Sequence, residues 1–216
     1  MVGPGDSLPP RFPIFPLHGC LLLPGGNLPL NIFEPRYLAM VRDAMQTDRV
    51  IGMVQPREAG AREPAPPVFR TSCAGRISNF AETDDGRYLI TLTGLCRFDI
   101  AEELATTTPY RQVRADFDPW RADLQPVPPP PELKGELLGV LRGYFRKHGI
   151  EAEWRTLEAA PLAALITSLA MICPFGAAEK QALLEARDMA QQGRLLVALM
   201  RMEAVPVTTI ESASKH

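Results

Sequence analysis

Residues 17–37, LHGCLLLPGGNLPLNIFEPRY, constrain the chain more than any other stretch, because two extended runs, a reversal and a helix start are compressed into them. Leu21, Leu22 and Leu23 form an apolar run, and Pro24-Gly25-Gly26-Asn27 supplies residues that fix φ or permit positive φ. Leu28, Leu30 and Ile32 then alternate at the period of a half-buried strand. The expectation is a strand, a hairpin-like turn and a second strand. Glu34-Pro35 ends the second strand, since proline cannot donate to a ladder but fits the first turn of a helix. From Arg36 to Gln46 the apolar positions Tyr37, Leu38, Val41, Ala44 and Met45 share one side, so this helix seeks a sheet.

The chain of 216 residues, 46% hydrophobic, can bury a substantial core. A formal net charge of -2 gives no overall electrostatic reason to bind nucleic acid or an anionic membrane. The amino terminus carries neither a basic nor an apolar leader segment, and the apolar run 162–172 is too short to span a bilayer, which needs about 20 residues. The reading is a soluble, cytoplasmic protein. Cys20, Cys73, Cys96 and Cys173 form no CxxC pair, so they read as small buried hydrophobes and not as a zinc or redox motif.

Along the chain, residues 1–9 read as a flexible tail and Phe12 and Ile14 open the first strand. Residues 49–55 form a short Val/Ile/Met strand, 56–67 a charged Pro/Gly surface loop, and 75–99 a hairpin reversing at Asp85-Gly86, with Gly94 marking a bulge. Residues 109–117 give a last strand. The run PVPPPP closes a proline-rich linker at 121–131. Beyond it the period becomes helical: Leu133, Leu137, Val140, Leu141, Tyr144 and His148 share a face closed by Gly149, and Leu162, Leu165, Ile166, Leu169 and Ile172 form a second stripe. Residues 177–186 and 188–202 read as two more helices, completing a bundle over 132–205 before a tail at 206–216.

The runs FPIFPLHGCLLLPGGNLPLNIFEPRYLAMV, DRVIGMVQP, CAGRISNFAETDDGRYLITLTGLCRF and SLAMICPFGAAEKQALLEARD together resemble the Lon protease amino-terminal, substrate-binding domain, and most closely its short stand-alone bacterial relatives. The resemblance spans most of the chain. It implies an α+β fold: a mostly β, PUA-like pseudo-barrel with one helix over residues 10–120, followed by the helical bundle. It also implies non-catalytic binding of unfolded or damaged polypeptide, without cofactor, metal or nucleotide.

Catalytic motifs are missing from the sequence. There is no phosphate-binding loop, no GxSxG and no HExxH, so the chain carries neither an ATPase nor a Ser-Lys protease signature. His18 and Cys20 could form a base and nucleophile if both faced one side of a strand, but no group orients the base, and a strand-end His beside a buried Cys is favoured. Glu82, Asp84 and Asp85 read as a solvated turn, and Glu34-Pro35-Arg36-Tyr37 as architecture.

Polypeptide binding asks for exposed apolar surface. Leu21, Leu22 and Leu23 are candidates because three consecutive apolar residues on a strand cannot all face one core; Phe33 and Phe80 are further candidates. Gly135, Gly139 and Gly143 lie opposite the Leu133 stripe beside Arg142 and Arg146, and each weakens a helix by about 0.8–1 kcal/mol relative to Ala unless the bare backbone is used. That face is a candidate docking surface for a protein partner. The rivals to unfolded-polypeptide binding are an adaptor or regulator of one folded partner such as a protease complex, an enzyme built on His18 and Cys20, and an RNA-binding PUA-like module.

Overall fold

In the computed structural model, which describes residues 8–57 and 66–204, the first half is a sheet of six strands. They are β1 (Arg11–Pro16), β2 (Asn27–Ile32), β3 (Val50–Val54), β4 (Thr71–Glu82), β5 (Tyr88–Leu104) and β6 (Gln112–Asp116). The strand order is β2-β5-β4-β3-β1-β6, and β6 pairs back onto β5. The 17-residue β5 can serve both ends of the sheet because Leu95 is an extra residue between the Ala74–Cys96 and Gly75–Gly94 pairs, a bulge next to the expected Gly94. The sheet therefore closes into a barrel with β2 added beside the first half of β5.

Closure creates two cores. Phe12, Ile14, Val50, Ala74, Cys96, Phe98 and Val113 fill one, where the Phe12 and Phe98 rings meet edge to face at 5.0 Å. The alternate side chains Phe15, Ile51, Met53 and Cys73 face the other, which joins the sheet to the helices. Helix α1 (Pro35–Met45) starts where expected, with Pro35 in its first turn; it packs Tyr37 on Phe15 at 4.4 Å.

The second half contains α2 (Leu133–His148), α3 (Trp154–Ala159), α4 (Leu162–Ile172), α5 (Ala177–Glu185) and α6 (Met189–Ala204). Gly149 closes α2 with φ 64°, as its place after the apolar stripe requires. His148 bonds Glu203 at 3.0 Å and lies over the Tyr144 ring at 4.4 Å. Ile172 departs from its stripe: at the end of α4 it is exposed. Leu133, Leu137, Leu141, Leu165, Ile166, Leu169, Leu196 and Met200 belong to the same buried cluster as Phe15 and Leu22, so one core runs through both halves.

The expected opening hairpin is corrected. Residues 17–26 are not a strand, and β2 pairs with β5 and not with β1. Leu21, Leu22 and Leu23 are corrected with it: all three are buried, at 2%, 1% and 1% exposure, so their side chains belong to the core and form no exposed apolar patch. An irregular segment is free of strand alternation, so its successive side chains can enter one core between sheet and helices. Its last residues reach across to β5, where Gly25 N–H donates to Gly94 O (2.9 Å) and Gly94 N–H to Gly26 O (2.8 Å). These bonds also set the phase of the ladder: Leu28, Leu30 and Ile32 exchange bonds with β5, while Asn27, Pro29 and Asn31 turn their backbone outward. Proline at an outward position costs no ladder bond.

Leu8 and Pro9, expected in the tail, pack on the barrel; residues 1–7, most of the 56–67 loop and the tail beyond 204 lie outside the described residues. The linker is not all extended, since a 3-10 helix, Asp118–Leu124, folds its first part against β5. A Cβ at Gly94 would stand 2.0 Å from Leu23 O. Gly94→Ala therefore forces two backbones apart, and urea unfolding followed by circular dichroism should show a loss of about 1–3 kcal/mol.

Candidate functional site

Sheet, linker and helices are pinned together by buried polar side chains. Arg97 on β5, 5% exposed, forks onto Asp123 of the 3-10 helix, with Nε–Oδ2 at 2.9 Å and Nη2–Oδ1 at 2.6 Å. Its Nη1 donates to Leu184 O at 2.9 Å and to Ala186 O, and its guanidinium stacks over Trp120 at 4.0 Å. One side chain thus holds β5, the linker and the end of α5. Nearby, Gln181 Nε2 donates to Thr71 O at 3.0 Å, Gln55 Nε2 to Gln181 Oε1 at 3.1 Å, and Lys180 Nζ to Gly19 O at 2.9 Å.

Beside this seam lies a groove of about 430 Å³, within the roughly 300–1,000 Å³ span of pockets that hold small ligands. One wall is the loop at 23–27, held to β5 by Gly94; the second is the linker, with Pro126 and Val127; the third is the start of α4, with Ala163 and Ala164. Arg97 and Asp123 also line it, and Met189 and Gln192 of α6 close its far side. Val127 is 78% exposed, an aliphatic side chain among prolines with no core to enter. The site combines apolar walls with a few hydroxyl, amide and guanidinium groups, the composition of a binding pocket.

The residues singled out from sequence fall elsewhere. Leu23 lines the groove but is buried, and Leu21 and Leu22 lie in the core. Phe33 and Phe80 are exposed, at 63% and 38%, with Phe80 against Tyr88 at 5.0 Å, outside the groove's lining. Gly135, Gly139 and Gly143 are exposed on α2, and a Cβ at any of them would meet nothing within 4 Å. Arg146 is exposed beside them, whereas Arg142 is engaged, paired with Glu158 at 2.9 Å and stacked over Trp154 at 4.3 Å. Sequence reasoning missed Val127, Ala163, Ala164 and Met189; the one available signal was an apolar residue isolated within the proline run.

His18 and Cys20 do not share a strand face, because a turn with Gly19 at φ 70° separates them. Burial raises the Cys20 thiol above its ordinary range, against the pull of Lys180, which keeps it protonated and a poor nucleophile. Burial likewise pushes Cys96 and Cys173 up to about 12. Among the described residues no group of three or more His, Cys, Asp or Glu could hold a metal, and no helix is long and apolar enough to cross a membrane.

A closed barrel joined to a helical bundle, with a groove at the joint, defines an α+β binding domain. The chain belongs to the ATP-dependent protease La (Lon) substrate-binding domain family, whose model matches residues 11–202. It is similar to the crystal structure of a Lon N-terminal domain protein from Xanthomonas campestris, at 26% identity and a TM-score of 0.63, over 87% of this chain and 97% of that one. The N-terminal domain of a Mycobacterium avium complex Lon protease shares the fold at 15% identity and a TM-score of 0.62, over 88% and 98% of the two chains. Lon protease 2 of Myxococcus xanthus is 32% identical over 51% of this chain but only 13% of its own length. Lon protease 2 of Sorangium cellulosum is 26% identical over 91% of this chain and 26% of its own. The chain thus matches a small part of these proteases.

The Arg97–Asp123 pair has a measurable weight. Removing one partner leaves the other charge buried and uncompensated, so Arg97→Met should cost about 3–5 kcal/mol in urea unfolding. A double-mutant cycle with Asp123→Asn should show strong coupling between the two positions.

Proposed function

We propose that the chain is a non-catalytic receptor for polypeptide, taking apolar side chains of unfolded segments into the groove between barrel and bundle, without nucleotide or cofactor. The observation that carries this reading is the open apolar groove at the joint of a substrate-binding-domain fold. Binding there buries client apolar surface at about 25 cal/mol per Å². A receptor that reads apolar area responds to unfolding more than to a particular sequence.

Fluorescence anisotropy of a labelled, permanently unfolded polypeptide, titrated without ATP and with a folded control, tests it. Saturable binding to the unfolded chain alone is expected. Ala164→Trp, which fills the groove from an exposed helix position, should weaken it about tenfold or more, equivalent to about 1.4 kcal/mol. No binding near a concentration of about 100 μM, a limit of about -5.5 kcal/mol, or full binding by the Trp variant, would sink the proposal.

A second reading, an adaptor that docks one folded partner, is supported by the open glycine face of α2. Replacing Gly135, Gly139 and Gly143 by Ala meets no steric obstacle and should stabilise the chain by about 0.8–1 kcal/mol per site in thermal or urea unfolding. An adaptor would pay for that gain with partner binding, read by pull-down with the triple variant. The groove receptor would bind unfolded polypeptide unchanged.

A further inference from the structure

The polar groups of the groove are unequally committed. Both of its carboxylates are engaged: Asp123 by Arg97, and Asp188 by the start of α6, where its Oδ1 accepts the Gln191 N–H at 2.8 Å. Arg97 is fully occupied in return. Arg187 is exposed at the rim, and among the described residues no carboxylate pairs with its guanidinium; only its backbone bonds, through N–H to Gln191 Oε1 at 2.7 Å and through its carbonyl to Arg97 at 3.5 Å. The Arg187 guanidinium is left without an ionic partner, while the charges lining the groove balance, Arg97 and Arg187 against Asp123 and Asp188.

The start of α4 adds to the same sign. Its N-cap is Pro161, with no capping side chain and no acidic residue in the first turn, and its first intrahelical bond is Leu165 N–H to Pro161 O. The N–H groups of Leu162, Ala163 and Ala164 therefore have no helix partner and carry the positive end of the helix dipole. Ala163 and Ala164 line the groove. One turn further on, Thr167 lines it as well; it is 7% exposed, and among the described residues its hydroxyl makes no hydrogen bond. A hydroxyl with no protein partner on a groove-lining residue, beside helix N–H groups without helix partners and a guanidinium without an ionic partner, is arranged for an oxyanion.

Resting on the reading of the groove as a polypeptide site, we propose that it takes the carboxy-terminal end of a chain. The terminal carboxylate lies against the α4 start, Thr167 and Arg187, and the last side chain against Pro24, Val127 and Met189.

Short labelled peptides ending in apolar residues, made as the free acid, as the carboxy-terminal amide, and as an amide with one internal Glu, separate the sources of charge. The free acid should bind the whole chain about tenfold more tightly than the amide, with the advantage shrinking at high salt. Thr167→Val, which keeps side-chain shape, and the exposed Arg187→Gln should each erase much of that ratio while circular dichroism stays native. Equal binding of acid and amide, with both still lost in Ala164→Trp, overturns the terminus and leaves the groove receptor standing. An internal Glu that binds as tightly as the free acid overturns it in favour of a side-chain carboxylate. Failure of every peptide and of the unfolded polypeptide overturns both proposals together.

Discussion

A single guanidinium determines how the halves of this molecule meet. Arg97 reaches from the barrel into a site where it is only 5% exposed, and its donors find oxygen in protein; the linker supplies a carboxylate and the end of α5 supplies carbonyls. Planarity matters as much as charge here. An ammonium could balance Asp123 but could not present a fork to it while stacking on Trp120. The groove is a by-product of that constraint, since its linker wall lies where Asp123 is held.

The remaining attachment between halves is apolar and continuous. The cluster that includes Leu21, Leu22 and Leu23 also includes Leu137, Leu165 and Met200, so the barrel's outer face and the bundle were never two finished surfaces brought together. Lys180 and Gln181 add direction to a contact that hydrophobicity alone would leave free to slide. A proline linker between two independent domains would predict separate cores; here the chain is joined by its interior as well as its backbone.

What the sequence disclosed follows from the range of the interactions concerned. The helices of the second half were legible where an apolar stripe repeats every turn, as from Leu133 to His148 with Gly149 behind it. The β4–β5 hairpin was legible because its turn chemistry is local. Helix α3 was missed: six residues make no stripe, and what anchors it is contact with α2, Trp154 against Phe145 at 6.0 Å and under Arg142. The three leucines misled because strand alternation was assumed for an irregular segment whose end, at Gly25 and Gly26, is tied to Gly94, nearly seventy positions away. The groove was illegible for the same reason, as its walls come from five separated stretches between Leu23 and Gln192.

Pro29 gives the sheet a one-sided edge. Strand β2 has one neighbour, and at the middle of its outer side the chain offers a carbonyl but no N–H. An unfolded segment drawn alongside would lose its register of hydrogen bonds there after two residues, and so would a second copy of the domain. Strand-by-strand growth is therefore interrupted on the side where this sheet is open. A second chain laid against this edge finds no continuous template on which to stack.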